Sequence, residues 1–273
     1  MSKSLIKRLK TSILSPAMIV SVFIGIWFLT WSRVANLISY NSTYGTSLTF
    51  RDIGDIFLND IAISHSLSGY DLFAPILAVL PAATLFCEDY NSGYIKSILS
   101  RTEKRRYIRE TILCSSIAGG LAIFLPCFIS GLFYLANGKL NTLENMSQWG
   151  ISTSFDETVY AQMQYTWGGL LLALILMVLA FLFGAIWSNV GLLVSIIFPN
   201  KYLALAAPFA LYFSVHLIFY RLGTLLVFSP VNMLMPNTSF IPFTLYPLLY
   251  EIILLGIICI LFSVLIKRRL WDV

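Results

Sequence analysis

The feature that most constrains this chain is the recurrence of apolar stretches close to the length of a bilayer crossing. They run Pro16 to Trp31, Leu72 to Cys87, Thr111 to Leu135, Trp167 to Trp187, Tyr202 to Phe219 and Leu245 to Ile266. A helix of about 20 apolar residues spans the hydrocarbon core. Lipid offers the backbone no partner, so such a stretch must satisfy its own amides and carbonyls as a helix. The chain is 58% hydrophobic and 11% charged, against about 25% charged in ordinary soluble domains. No single water-soluble core hides that much apolar surface. The sequence therefore predicts an all-α membrane protein with six transmembrane helices, forming one domain over residues 1–273.

Two spans are irregular. The second is short and carries Pro75 and Pro81, which a transmembrane helix tolerates where neighbouring helices satisfy the freed carbonyls. Beyond the fourth, apolar character continues from Gly191 to Phe198. This span either runs on as a long tilted helix or gives way to a short interfacial one before Pro199.

Charge sets the orientation. Lys3, Lys7, Arg8 and Lys10 precede the first span, and six basic residues from Lys96 to Arg109 separate the second from the third. Lys201 lies between the fourth and fifth, and Lys267, Arg268 and Arg269 follow the sixth. All fall on one side of a six-span layout. The opposite loops carry Arg51, Lys139 and Arg221 among Asp52, Asp55, Asp60, Asp71, Glu144, Asp156 and Glu157. The basic bias places both termini in the cytoplasm of a cell-membrane protein. The net charge of +5 is then a topological signal, and nucleic acid is not an expected partner because no basic face on a soluble fold exists to read it.

A basic start before an apolar run mimics a signal peptide. Leu29 to Arg33 offers no small-x-small cleavage site, so this segment is read as a retained span. Ahead of it, Leu5, Ile6, Leu9 and Ile13 recur at helical spacing with basic residues between them, the pattern of an N-terminal interfacial helix. On the outer side, Ile53, Ile56, Phe57 and Ile61 among aspartates suggest a short amphipathic helix. Asn137 to Thr166 reads as a polar loop. Arg221 to Thr244 stays apolar while Pro230, Pro236 and Pro242 interrupt it. This broken apolar segment before the sixth span is either a pair of short helices that dip and return or a hydrophobic loop over the bundle.

Chemistry-bearing constellations are sparse. Cys87, Cys114, Cys127 and Cys259 form no C-x-x-C pair and no ligand spacing with histidine, so they read as buried small hydrophobes. His65 lies in an outer loop; His216, inside the fifth span, reads as a hydrogen-bonded structural histidine or a proton relay. Glu251 is a lone acid near the outer end of the sixth span, with Arg221 the one basic candidate beside it. Ser195 and His216 lack the glycine-framed serine of an intramembrane protease. No H-E-x-x-H and no G-x-x-x-x-G-K-[ST] occurs. The chain is expected to be no enzyme and to hold no cofactor or metal, and any ATP-driven work requires another subunit.

One charged island stands out between the second and third spans: Glu88, Asp89, Tyr90, Asn91, Ser92, Gly93, Tyr94, Ile95, Lys96, Ser97, Ile98, Leu99, Ser100 and Arg101, followed by Lys104, Arg105, Arg106 and Arg109. Tyr94, Ile95, Ile98 and Leu99 make an apolar stripe at i, i+1, i+4, i+5 while the bases crowd the remaining surface, which predicts a short amphipathic helix. Gly93 supplies the turn out of the preceding span, and Glu88 and Asp89 are expected at the start of the short helix, where its dipole favours them. Residues alone leave open whether the basic face docks on a protein or meets anionic headgroups.

The order Glu88, Gly93, Lys96, Ile98-Leu99, Arg101, Arg105 resembles the cytoplasmic coupling segment of the ABC type-2 export permeases. The likeness extends to the basic interfacial N-terminus, the six spans, both ends inside and the broken segment before the last span. The resemblance implies a permease that pairs with itself or a sister permease and with two copies of a cytoplasmic ATP-binding cassette subunit, which binds ATP and Mg. It implies that Glu88, Asp89, Gly93, Tyr94, Ile95, Lys96, Ile98, Leu99, Arg101 and Arg105 couple to that ATPase. In size and character the chain is similar to small Gram-positive permeases for amphipathic or antimicrobial peptides, including self-protection systems. An ion-coupled secondary transporter, or a non-transporting immunity or scaffold protein, is the alternative.

Overall fold

The computed structural model describes residues 3–47, 69–82, 84–101, 103–140, 166–223, 228–234 and 246–271. Among these every regular element is a helix, and five helices are long and apolar enough to cross a membrane. The chain is a helical membrane protein.

Helix α1 (Lys3–Ile13) ends at a turn where Ser15 caps α2 (Pro16–Tyr44), its hydroxyl accepting the Met18 amide at 3.2 Å. Pro16 sits in the first turn, where its missing N–H costs nothing. The sequence ends the first span at Trp31; the helix instead continues to Tyr44. No glycine or proline interrupts Val34 to Tyr44, and the stop comes at Gly45 in the left-handed region, φ 60°.

The segment expected as the second span holds two helices, α3 (Tyr70–Val79) and α4 (Leu85–Asn91), on either side of a break at Pro81, and neither is among the five of crossing length. Each proline removes the amide that would have bonded the carbonyl four residues back. Pro75 frees the Asp71 carbonyl, which accepts the Tyr212 hydroxyl at 2.6 Å. Pro81 frees the Leu77 carbonyl, which accepts the Ser21 hydroxyl at 2.8 Å. Neighbouring helices thus supply the missing donors, and α3 is buried among α2 and the later spans.

After α5 (Tyr94–Leu99), α6 (Lys104–Asn137) begins earlier than the apolar pattern suggests. Lys104, Arg105, Arg106 and Arg109 therefore occupy its first turns rather than a connection. A tight turn at Thr166–Gly169, with Trp167 at φ 52°, leads into α7 (Leu170–Ile197). The fourth span takes the long form and stops just before Pro199. Asn200 then caps α8 (Lys201–Leu222), accepting the Tyr202 amide at 2.9 Å.

Of the broken segment before the last span, a short helix α9 (Val231–Leu234) is described, with Met233 and Leu234 buried. Residues 224–227 and 235–244 of that segment, the expected outer helix around Ile53 to Ile61, His65, and most of the Asn137 to Thr166 loop lie outside the described residues. Helix α10 (Tyr246–Trp271) is the last span.

Helix α7 is the hub, packing on α6, α10, α8 and α3. Its crossing with α6 is a backbone contact. A Cβ at Gly184 would lie 2.3 Å from the Gly119 carbonyl oxygen, and one at Gly119 would lie 2.2 Å from Ser188 Cβ. One turn away from these glycines the Ser115 and Ser188 hydroxyls are 2.8 Å apart, and the Asn189 amide donates to Ser116 at 2.7 Å. Small residues that let helices approach, with polar side chains bonded across the seam, are how spans associate where lipid removes the hydrophobic drive. Beside the seam, the Phe183, Trp187 and Tyr212 rings meet with centroids 5.1 to 6.1 Å apart.

Candidate functional site

The island is built by a sharp reversal. Helix α4 ends at Asn91, Gly93 adopts φ 70°, and α5 leaves in a new direction. A side chain at Gly93 would meet no atom within 4 Å, so the backbone angle alone demands glycine. The Asn91 side-chain amide donates to the Pro199 carbonyl at 3.0 Å, tying the reversal to the turn between α7 and α8.

Ile95, 1% exposed, seats α5 in a cluster with Phe86, Tyr107, Ile108, Leu192, Ile196, Phe262 and Ile266, and Ile98 and Leu99 pack partly against it. Three members of the expected stripe turn inward. Tyr94 does not; it is 57% exposed. Lys96, Arg101 and Arg105 are exposed as well. The acids differ from expectation. Glu88 and Asp89 belong to α4, and the first turn of α5 holds no acidic residue. The reason is the left-handed Gly93, which divides the island into two helices instead of one.

Placed on α4, the two acids do different things. Glu88 is exposed and accepts the Thr84 hydroxyl at 2.9 Å. Asp89 faces inward and forms an ion pair with Arg8 of α1, 81 residues earlier in the chain. The Tyr107 hydroxyl donates to the same carboxylate at 2.9 Å, and Arg8 also donates to the Thr111 hydroxyl at 2.9 Å while lying 5.1 Å from the centre of the Tyr107 ring. Burial lifts the Asp89 carboxyl above the ordinary carboxylate range, with Arg8 and Tyr107 pulling it back. For Arg8, burial works to lower the value, and the pull of Asp89 and Tyr107 outweighs it, so the guanidinium stays charged. Leu5 and Leu9 add an apolar contact on Cys114, Leu85 and Ile117; Ile6, expected on the same face, is exposed.

These contacts join α1, α4, α5 and the start of α6 around a groove of about 370 Å³ whose rim carries Lys7, Glu88, Tyr94 and Arg101. The sequence reading missed Arg8, Tyr107 and Thr111. The available signal was Asp89 itself, an acid one turn after the apolar Leu85 and Phe86 in a region otherwise rich in bases. The arrangement is a short helix with an exposed tip, braced from behind by the partly buried Arg8–Asp89 ion pair.

Elsewhere, His216 Nδ1 lies 2.7 Å from the Ser229 hydroxyl, the hydrogen-bonded reading of that residue. Glu251 is 1% exposed, and neither of its oxygens has a hydrogen-bond partner among the described residues, Arg221 included. Cys87, Cys114 and Cys127 are buried, and none of the four cysteines is in a disulfide. Among the described residues no group of three or more His, Cys, Asp or Glu side chains converges as a metal site would require.

No family model matches the chain, and no curated protein or solved structure matches it.

Proposed function

We propose that the chain is the transmembrane subunit of an ATP-driven exporter, moving an amphipathic or hydrophobic substrate, most simply a peptide, across or out of the cell membrane. ATP and Mg are bound by a separate cytoplasmic ATP-binding cassette subunit, two copies of which serve a pair of permeases. The observation that carries this reading is the island's geometry. Gly93 turns α5 out of the broken second span, Ile95 anchors it, and Tyr94, Lys96 and Arg101 face outward. A push on that tip reaches α4 through Gly93 and α1 through Asp89 and Arg8, so closure of a partner would move the broken second segment and the N-terminal interfacial helix together.

The test is purification from native membranes with mass-spectrometric identification of associated subunits. An ATP-binding cassette protein is expected with the wild type, and Tyr94→Ala combined with Lys96→Glu is expected to release it while the permease still folds, since both side chains are exposed. Ile98 and Leu99 are poorer probes because they pack inward. A complex of unchanged stability in the double variant, or no nucleotide hydrolase in any preparation, overturns the proposal.

A second reading rests on a different observation. A broken apolar segment and a buried carboxylate with no hydrogen-bond partner among the described residues are features of ion-coupled carriers, and α3–α4 with Glu251 provide both. Uptake or efflux in proteoliposomes driven by a proton gradient with no nucleotide present would select it.

A further inference from the structure

Where the first turns of α6 meet the last turns of α10, a groove of about 290 Å³ carries three cations, Arg105, Arg109 and Lys267, over an apolar wall of Ile108, Ile112 and Leu113. No carboxylate lines it. Two other arginines at this end of the bundle are paired, Arg8 with Asp89 and Arg106 with Glu110 at 3.0 Å. Arg105, Arg109 and Lys267 form no ion pair among the described residues. Arg105 and Arg109 are one turn apart on the same helix, where like charges repel, and Lys267 adds a third positive charge from α10. Three unpaired cations in one groove call for an anion. The remaining lining hydroxyl, Ser263, already donates to the Cys259 carbonyl at 2.8 Å.

The apolar wall narrows the class of anion. Ile108, Ile112 and Leu113 continue into the span that α6 makes, and Leu113 is 41% exposed on that wall. Cations at the end of two spans with an apolar strip running from them toward the membrane interior match a molecule with a phosphate at one end and hydrocarbon at the other. We propose that this groove binds an anionic phospholipid, its phosphate between Arg105, Arg109 and Lys267 and one acyl chain along Ile108, Ile112 and Leu113. Bound there, the lipid clamps the start of α6 to the end of α10. A free phosphate would leave the apolar wall unused, and an acidic protein segment would have to reach the level of the acyl chains to touch it.

The test uses the full chain purified in a neutral detergent, with phosphatidylglycerol, phosphatidylcholine and inorganic phosphate as probes and with native mass spectrometry and the thermal midpoint as readouts. Phosphatidylglycerol is expected to bind and to raise the midpoint; the other two are not. Arg109→Gln with Lys267→Gln is expected to weaken phosphatidylglycerol binding by about fivefold per removed charge, whereas Arg109→Lys with Lys267→Arg retains it and guards against a folding defect in the neutral variant. An equal response to phosphatidylcholine overturns the proposal, as does an equal response to inorganic phosphate or unchanged binding in the neutral variant. Protection of Arg109 and Lys267 from chemical modification by an acidic partner protein, but not by phosphatidylglycerol, also overturns it.

Discussion

The hydroxyl of Tyr212 donates to the carbonyl of Asp71 at 2.6 Å, and that carbonyl is the one Pro75 leaves without an amide. A buried acceptor stripped of its partner costs about 1–3 kcal/mol. Tyr212→Phe keeps the ring among Phe183 and Trp187 and removes only the donor, so it should lower stability by about that amount. Pro75→Ala, which returns an amide to α3, should shrink the penalty. Thermal midpoints of the two single variants and the double in detergent measure the coupling; strict additivity would refute the pairing.

At the α6–α7 crossing, Gly184→Ala must push a methyl group against the Gly119 carbonyl, and a backbone atom cannot rotate aside. Overpacking of this kind costs about 1–3 kcal/mol. Gly256→Ala is the control, because its methyl group would meet nothing within 4 Å; a change of less than about 0.5 kcal/mol is expected. Denaturant titration in mixed micelles compares them, and equal destabilisation would mean the crossing is not a backbone contact.

What was legible in the sequence divides along physical lines. Five of the six expected spans were readable as long apolar helices, because an apolar run of bilayer length has few other uses, and the tolerance of Pro75 and Pro81 followed from the chemistry of a missing amide. Which side chains would replace those amides was not readable, since Ser21 and Tyr212 become partners only when α2 and α8 pack on α3. The same holds for Arg8 and Asp89, 81 residues apart. The turn at Gly93 was foreseen, but not that it would split the island and leave both acids on the preceding helix. Ser115 with Gly119, and Gly184 with Ser188, are small residues four apart on two spans, a signal of close helix approach that was present and passed over.

The ion pair behind the island predicts non-additivity. Arg8→Ala leaves the partly buried Asp89 with the Tyr107 hydroxyl as a donor, and Asp89→Ala leaves the partly buried Arg8 with the Thr111 hydroxyl as an acceptor. Each single change should cost about 2–3 kcal/mol. The double variant should cost less than the sum by about 1–2 kcal/mol. Limited proteolysis gives a second readout, since α1 should become cleavable in both single variants; resistance equal to wild type would show that the pair does not hold α1 in place.

Orientation is testable through Tyr94, whose ring is exposed at the tip of α5. Cys87, Cys114 and Cys127 are buried and Cys259 is partly so, so replacing Cys259 by Ala leaves a quiet background. In that background Tyr94→Cys should react with a membrane-impermeant maleimide in inside-out vesicles and stay unlabelled in right-side-out ones, as the distribution of lysine and arginine requires. Labelling from the outer face would reverse the topology and remove the island from any cytoplasmic partner.

Glu251 gives the sharpest separation between stability and function. Its carboxylate is enclosed, and neither oxygen has a hydrogen-bond partner among the described residues. Burying polar atoms without partners is unfavourable by about 1–3 kcal/mol, so Glu251→Leu, which fills a similar volume with carbon, should raise the thermal midpoint. A group kept at such cost in a span is a functional residue by default. If the protein is a carrier coupled to ions, the stabilised Glu251→Leu variant should lose transport, and Glu251→Gln, which preserves shape but cannot exchange a proton, should lose it equally. If transport is powered through α5, both variants should keep nucleotide-driven export while Tyr94→Ala with Lys96→Glu abolishes it. A Glu251→Leu protein that is less stable than wild type would show that the carboxylate has a partner in the folded state, and would withdraw the argument for either role.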